Sequence, residues 1–309
     1  MRILFATDGS EGSDIALDLL LALPHRPTDQ FDVVSVPVHH YIGGAIEGTG
    51  AYVAELVDAE YATAQRAAAD AAVRMKARGI DARTLVVEGL APDAIIAAAK
   101  RLRSDLIVVG TRGLGRIASA LLGSTARALA RHSPVPVLVV RERREAPRRI
   151  LVATDGSPDA CTAIAAIAAM PIPDRAEVTL LNVVPEGKAR TWPAGPLGDE
   201  LRAVAEREER SAALEVLRSA AEQLPAHVSM RLEIDRGSAA DRLIAFAGAM
   251  GADLIVLGSR GTTLSNGFLQ GSTADRVLSG AHCAVLVART PAPAERPTPD
   301  EEFVAATAG

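Results

Sequence analysis

Two short runs of this chain combine the residue types that hold a phosphate. Gly110-Thr111-Arg112-Gly113 is followed, nine residues on, by Gly123-Ser124-Thr125. Gly258-Ser259-Arg260-Gly261 is followed, again nine residues on, by Gly271-Ser272-Thr273. Glycine accepts positive φ and lets a backbone come close to a ligand. A Ser/Thr pair opening a helix adds hydroxyl donors to N–H groups that are unpaired and carry partial positive charge. A tight turn with a Ser N-cap uses the same residues. The recurrence favours the anion reading, because most of the nine intervening residues differ while the Gly and Ser/Thr positions repeat. Arg112 and Arg260 are placed either to reach a phosphate or to sit in solvent.

A second recurring run is Ala-Thr-Asp-Gly-Ser, at Ala6 to Ser10 and at Ala153 to Ser157. The carboxylates of Asp8 and Asp155 can accept from a ribose or a base amino group. They can equally form the turn or cap before a helix. Val36 and Val183 follow apolar runs and either line a base or join the core.

These residues need elements to position them, and the chain supplies the elements twice. Residues 2–10, RILFATDGS, return at 149–157 as RILVATDGS, and 105–113, DLIVVGTRG, return at 253–261 as DLIVLGSRG. GSTA stands at 123–126 and again at 271–274. The offset is 147 residues at the start and 148 later, so one copy carries a net insertion of one residue. A period this long is a duplicated domain, about 140 residues each, rather than a solenoid. The boundaries read as 1–140 for the first domain, 141–148 for a charged linker and 149–289 for the second domain. Residues 290–309, rich in Pro and acidic residues, read as a disordered tail.

Apolar periodicity alternates between strand and helix in each copy. The first copy gives strands at 3–6, 31–38, 84–87, 106–109 and 137–140, with helices at 13–23, 53–78, 92–103 and 124–131. The second gives strands at 151–153, 177–184, 228–234, 254–257 and 284–288, with helices at 159–170, 201–223, 240–249 and 273–278. Such alternation is an α/β fold, two tandem doubly wound and mostly parallel sheets with helices on both faces. Ligands in these folds bind outside the carboxyl ends of the strands, where the four recurring motifs stand.

Composition sets outer bounds. The chain has 309 residues, 49% hydrophobic, 23% charged and 3% aromatic, so its cores are aliphatic. A net charge of −5 makes a general nucleic-acid binder a poor reading. Cys161 and Cys283 exclude a disulfide scaffold and read as buried thiols. No signal-peptide pattern opens the chain and no apolar run approaches the ~20 residues of a membrane span, so it reads as a soluble cytoplasmic protein.

The ATDGS strand end together with G-x2-G-x9-G-[ST] resembles the universal stress protein family, across both copies. The resemblance implies five strands per sheet in the order 3-2-1-4-5, and ATP binding where the glycine motif is present. It places Ala6, Thr7, Asp8 and Val36 at the adenosine end, with Gly110, Arg112, Gly113, Gly123, Ser124 and Thr125 around ribose and phosphates. In the second copy these roles fall to Ala153, Thr154, Asp155 and Val183, then Gly258, Arg260, Gly261, Gly271, Ser272 and Thr273. Mg²⁺ accompanies the phosphates. The family pairs through its last strand, so the copies are expected to pack as an intramolecular pseudo-dimer that dimerises again. Two departures bear on equivalence of the sites. Pro37 stands where the second copy has Val184. The loops after the second strands differ, 39–52 being Gly-rich and 185–198 Pro-rich with Trp192.

Other chemistry is thinly represented. Gly113 to Ala118 matches G-x-G-x-x-A, but it follows a fourth strand and lacks a counterpart in the second copy. There is no G-x4-G-K-[ST], and His39 and His40 are adjacent, not spaced for a helical zinc site. No catalytic acid/base pair can be named. The expected function is an ATP-binding, nucleotide-dependent stress-response regulator. The alternatives are a slow ATPase or phosphotransferase, and a stress scaffold without nucleotide.

Overall fold

In a computed structural model, the protein is described at residues 1–37, 50–111, 122–142, 145–173, 175–186, 195–261 and 272–290. The first copy runs β1 (Arg2–Ala6), α1 (Glu11–Ala22), β2 (Gln30–Ser35), α2 (Gly50–Lys76), β3 (Ala82–Val86), α3 (Ala91–Leu102), β4 (Leu106–Gly110), α4 (Ser124–His132) and β5 (Val137–Val140). The second runs β6 (Arg149–Ala153), α5 (Pro158–Ala169), β7 (Glu177–Val184), α6 (Pro196–Ala221), β8 (Ser229–Arg236), α7 (Ala239–Met250), β9 (Leu254–Gly258), α8 (Ser272–Gly280) and β10 (Ala284–Ala288).

The boundaries follow local chemistry. Ser10 caps α1 by accepting from the Ser13 N–H, and Ser157 caps α5 by accepting from the Ala160 N–H. α1 stops at Leu23, which is extended because Pro24 follows it. α6 starts five residues earlier than its apolar period indicated, with Pro196 at the first turn, where the missing N–H has no intrahelical partner to lose. β2 ends at Ser35, short of the expected 38.

The strands form one ten-stranded sheet in the order β3-β2-β1-β4-β5-β10-β9-β6-β7-β8. Each copy contributes five strands, and the two halves join through their last strands, β5 and β10, as the resemblance implied. Each copy is parallel throughout, and β5 and β10 pair antiparallel to fuse the halves. The apolar cores on the two faces run across this seam, Leu138 and Leu286 belonging to one and Val137, Val139, Val285 and Val287 to the other.

The antiparallel seam turns the halves end for end. The carboxyl ends of the first copy's strands and those of the second lie on opposite edges of the sheet. It also puts the end of β5 on the same edge as the start of β6, three strand positions away. At ~4.8 Å per strand that is ~14 Å, within reach of the short linker.

The strand starts are tied by a repeated aspartate. Asp105 Oδ2 accepts from the Arg2 N–H at 2.7 Å, and Asp253 Oδ2 from the Arg149 N–H at 2.9 Å. Cys283 is buried, but Cys161 is exposed on α5, against the expectation for both thiols. Thr290, assigned from sequence to the tail, is held by hydrogen bonds described below; residues 291–309 lie outside the described part. Among the described residues no helix is long and apolar enough to cross a membrane.

One stabilising change follows directly. Gly248 lies within α7, and a Cβ added there meets nothing within 4 Å. Gly248→Ala is expected to raise stability by ~0.5–1 kcal/mol, read as a higher urea midpoint with unchanged slope.

Candidate functional site

The ATDGS runs turn the chain from β1 into α1 and from β6 into α5. Thr7 stays on the sheet through its N–H to Val34 O at 2.9 Å, and Thr154 does the same to Leu181 O at 3.0 Å. Gly9 and Gly156 then take φ of +74° and +76°. One carboxylate oxygen of each aspartate braces this turn. Asp8 Oδ1 accepts from the Ser10 N–H and Asp155 Oδ1 from the Ser157 N–H, both at 3.0 Å. The threonine hydroxyls add a second brace, accepting from the Gly9 and Gly156 N–H groups at 3.1 and 3.3 Å.

The strand-end glycines have a packing task. A Cβ on Gly110 would lie 2.3 Å from Gly12 O, and one on Gly258 would lie 2.6 Å from Ala160 N. Their missing side chains make room for the first turns of α1 and α5. The resemblance places both beside ribose and phosphate, and the room left by each missing Cβ is bordered by the first turn of α1 or α5.

The second glycine differs. A Cβ on Gly261 would lie 2.7 Å from Asp155 Oδ2. Ser157 Oγ donates to Arg260 O at 3.2 Å. The loop after β9 is therefore laid against the ATDGS turn, uniting two motifs about a hundred positions apart in sequence.

At the third glycine of the first copy, the Gly123 N–H donates to Thr111 O at 2.7 Å. This bond closes the base of the loop whose residues 112–121 lie outside the described part. It sets the N-terminus of α4 beside the end of β4. Gly123 is the N-cap residue and provides no side-chain cap. The first turn of α4 thus presents N–H groups without a capping oxygen, flanked by exposed Ser124 and half-buried Thr125. α1, by contrast, is closed by Ser10. In the second copy α8 opens at Ser272, with Thr273 half-buried. Arg112, Gly113 and Gly271 lie outside the described residues, as does the Ser272 side chain.

Arg260 has another occupation. Its Nε donates to Asp159 Oδ2 at 2.9 Å and a terminal nitrogen to Asp159 Oδ1 at 3.0 Å. Asp159 also accepts from Ser259 Oγ at 2.7 Å and from the Thr290 N–H at 2.9 Å. The Asp159 residue is 2% exposed. Burial pushes its pKa up, but the bonds from Arg260, Ser259 and the Thr290 N–H outweigh this and bring it to about 2. Arg289, whose Nε donates to Ser259 Oγ at 3.1 Å, has a lowered pKa from burial and from the nearby Arg260 charge. The guanidinium of Arg260 is thus paired with Asp159 while its side chain stays 45% exposed.

The sequence reading missed this cluster. The first copy has Gly12 where the second has Asp159, and that difference between two otherwise similar runs was the available signal.

Two of the four apolar candidates are core members. Ala6 and Val36 are buried in the cluster with Leu4 and Val34, and Ala153 and Val183 are partly buried against it. The two β2-type strand ends also differ. Asn182 Nδ2 donates to Thr154 O at 2.8 Å, whereas the aligned Ser35 hydroxyl is buried with no hydrogen-bond partner among the described residues.

The fold and the recurring strand-edge loops define a duplicated, doubly wound α/β protein. A family model described as the universal stress protein family matches residues 1–141 and again 147–289. The chain belongs to that family, as a tandem two-domain member. A universal stress protein of Methanocaldococcus jannaschii is 32% identical over 145 residues, 47% of this chain and 84% of the relative. One from Mycolicibacterium smegmatis is 31% identical over 199 residues, 60% of this chain and 62% of the relative. The crystal structure of a universal stress protein from Archaeoglobus fulgidus superposes with a TM-score of 0.61 at 20% identity, over 94% of this chain and 98% of that one. That last likeness concerns the fold.

Proposed function

We propose that the chain binds ATP at the carboxyl edge of each copy, and that occupancy regulates a stress response by changing what the protein binds. The carrying observation is the uncapped N-terminus of α4, closed against β4 by the bond from Gly123 to Thr111. Helix N–H groups, a helix dipole and two hydroxyls there match a phosphate chain. The same residue pattern recurs in the second copy, beside the Asp155 turn. Asp155 has its second oxygen, Oδ2, beside Gly261 at the start of the loop after β9, where a ribose would come.

Mg²⁺ belongs to this proposal as the companion of the phosphates. Among the described residues no three His, Cys, Asp or Glu side chains gather into a metal site. The cation would come with the nucleotide, on its phosphates. A cytoplasmic setting and a further homodimer of the closed chain are part of the same proposal. A ligand switches a protein only through unequal affinity for two states.

Mg-ATP at ~100 times its Kd is expected to stabilise the chain by ~2.7 kcal/mol per occupied site, seen as a raised melting temperature. Gly123→Val should remove the first site's share. Gly123 has φ −60°, a value valine adopts without backbone strain. An unchanged melting temperature with Mg-ATP would favour the scaffold reading. Multiple turnovers abolished by that substitution would favour the ATPase reading.

A further inference from the structure

The seam between the copies has a local two-fold axis. In the β5–β10 ladder Leu138 faces Leu286, Val139 faces Val285 and Val137 faces Val287. Leu138 and Leu286 occupy the same position in their copies, 148 residues apart. The axis therefore passes through that pair, and every seam contact has a symmetry mate.

The strands themselves cannot tell one copy from the other. β5 reads VLVV over 137–140 and the matching run of the second copy reads VLVA over 285–288. A ladder of first copy with first copy would pack almost the same apolar side chains.

The helices beside the ladder do differ. Arg131 on α4 grips Asp275 on α8, Nε lying 3.0 and 2.9 Å from the two carboxylate oxygens and a terminal nitrogen also donating. Asp275 is the counterpart of Arg127, and Ser279 the counterpart of Arg131. The symmetry mate of the Arg131–Asp275 contact is then Arg127 with Ser279, and their side chains do meet, at 3.5 Å. The Asp275 side chain is 19% exposed and that of Arg131 43%, so the carboxylate half of this pair is shielded and the guanidinium half meets water.

We propose that these four residues select the partner for the seam: Arg127 and Arg131 on α4 accept α8, with Asp275 and Ser279, and reject a second α4. Pairing of first copy with first copy would set Arg131 against Arg127 twice, four guanidinium groups with no carboxylate among them. Pairing of second with second would offer only Asp against Ser. The matching arrangement is unlike with unlike, which one chain satisfies within itself. Like-with-like pairing between chains would leave the other copy of each chain with an open β-edge, so assembly would continue without closure. The charge division thus favours the closed monomeric sheet. It rests on the seam alone and is independent of nucleotide binding.

The test uses the full chain. D275R/S279R gives α8 the charges of α4, and R127D/R131S/D275R/S279R exchanges the two sets. D275R/S279R is expected to lower the melting temperature by about 5 °C, from two lost contacts and two like-charge contacts. About 1 M NaCl, with a screening length near 3 Å, should raise the melting temperature of this variant relative to wild type. The four-site exchange should recover most of the loss. If D275R/S279R fails to fold, recovery in the exchanged chain alone supports the proposal. The proposal is overturned if D275R/S279R melts within about 1 °C of wild type, or if the exchange is no more stable than it.

Discussion

Alanine at Gly110 is expected to cost about 3 kcal/mol or more, lowering the melting temperature by roughly 6–12 °C. The added Cβ would stand 2.3 Å from Gly12 O, 2.5 Å from Gly12 C and 2.9 Å from Ser13 N. All three are backbone atoms of α1's first turn. No rotamer change relieves them, so α1 must shift or β4 must lose its end. That turn also carries the Ser10 cap and the bracing bonds of Thr7, so the damage spreads to the ATDGS run. Gly258→Ala should behave alike, its Cβ lying 2.6 Å from Ala160 N and 2.7 Å from Asp159 C. Urea unfolding of both variants, with Gly248→Ala as the control of opposite sign, checks the reading. Wild-type midpoints for Gly110→Ala and Gly258→Ala would show that these glycines are not packing residues.

Removing the Asp159 carboxylate is the other large effect. Asp159→Ala leaves Ser259, Arg260 and the Thr290 N–H without their shared acceptor. Loss of one partner from a buried ion pair costs about 3–5 kcal/mol. The Arg260 side chain is 45% exposed and regains water, so about 2–3 kcal/mol is expected. The pH dependence gives an independent check. The carboxyl's pKa is about 2 in the folded chain against an ordinary 3.8. A depressed carboxylate pKa stabilises the fold above the unfolded value. This contribution, on the order of 2 kcal/mol, is full above about pH 5 and lost as pH falls through 3.8 toward 2. Asp159→Asn should flatten the acid limb of the stability curve there. A wild-type acid limb in Asp159→Asn would mean the carboxylate carries no such coupling.

Much of the architecture was legible because it was written twice. The strands fully covered on both faces, such as β4 and β9, read as unbroken apolar runs, and the matching runs aligned them without ambiguity. The joining of the halves through β5 and β10 came from the family resemblance and not from the residues, because VLVV carries no sign of its partner. The helix starts were off where the apolar period is weak. α6 begins at Pro196 in a stretch whose Leu197, Leu201 and Val204 remain exposed, so burial does not mark its first turns.

The candidate site was legible as a set of motifs and less so as a division of labour. Spacing located Gly110 and Gly258 at the strand ends but carried no sign that the first turns of α1 and α5 pack against them. Arg260 looked available because its partner lies about a hundred residues away, at a position where the first copy has Gly12. Asp105 and Asp253 were visible inside repeated motifs, yet their task of tying neighbouring strand starts is a tertiary one. Val36 could line a base or fill a core by its chemistry alone; it is buried in the cluster with Leu4 and Val34.

Calorimetric titration of the full chain with Mg-ATP tests the central claim most directly, because it reads stoichiometry as well as affinity. The two carboxyl edges lie on opposite sides of the sheet, so their sites should fill independently, giving two nucleotides per chain. A single nucleotide per chain would locate the function in one copy, with Gly12 against Asp159 and Ser35 against Asn182 as the differences to exchange. No heat at two temperatures, together with no retention of ATP in equilibrium dialysis, would contradict nucleotide binding at either edge.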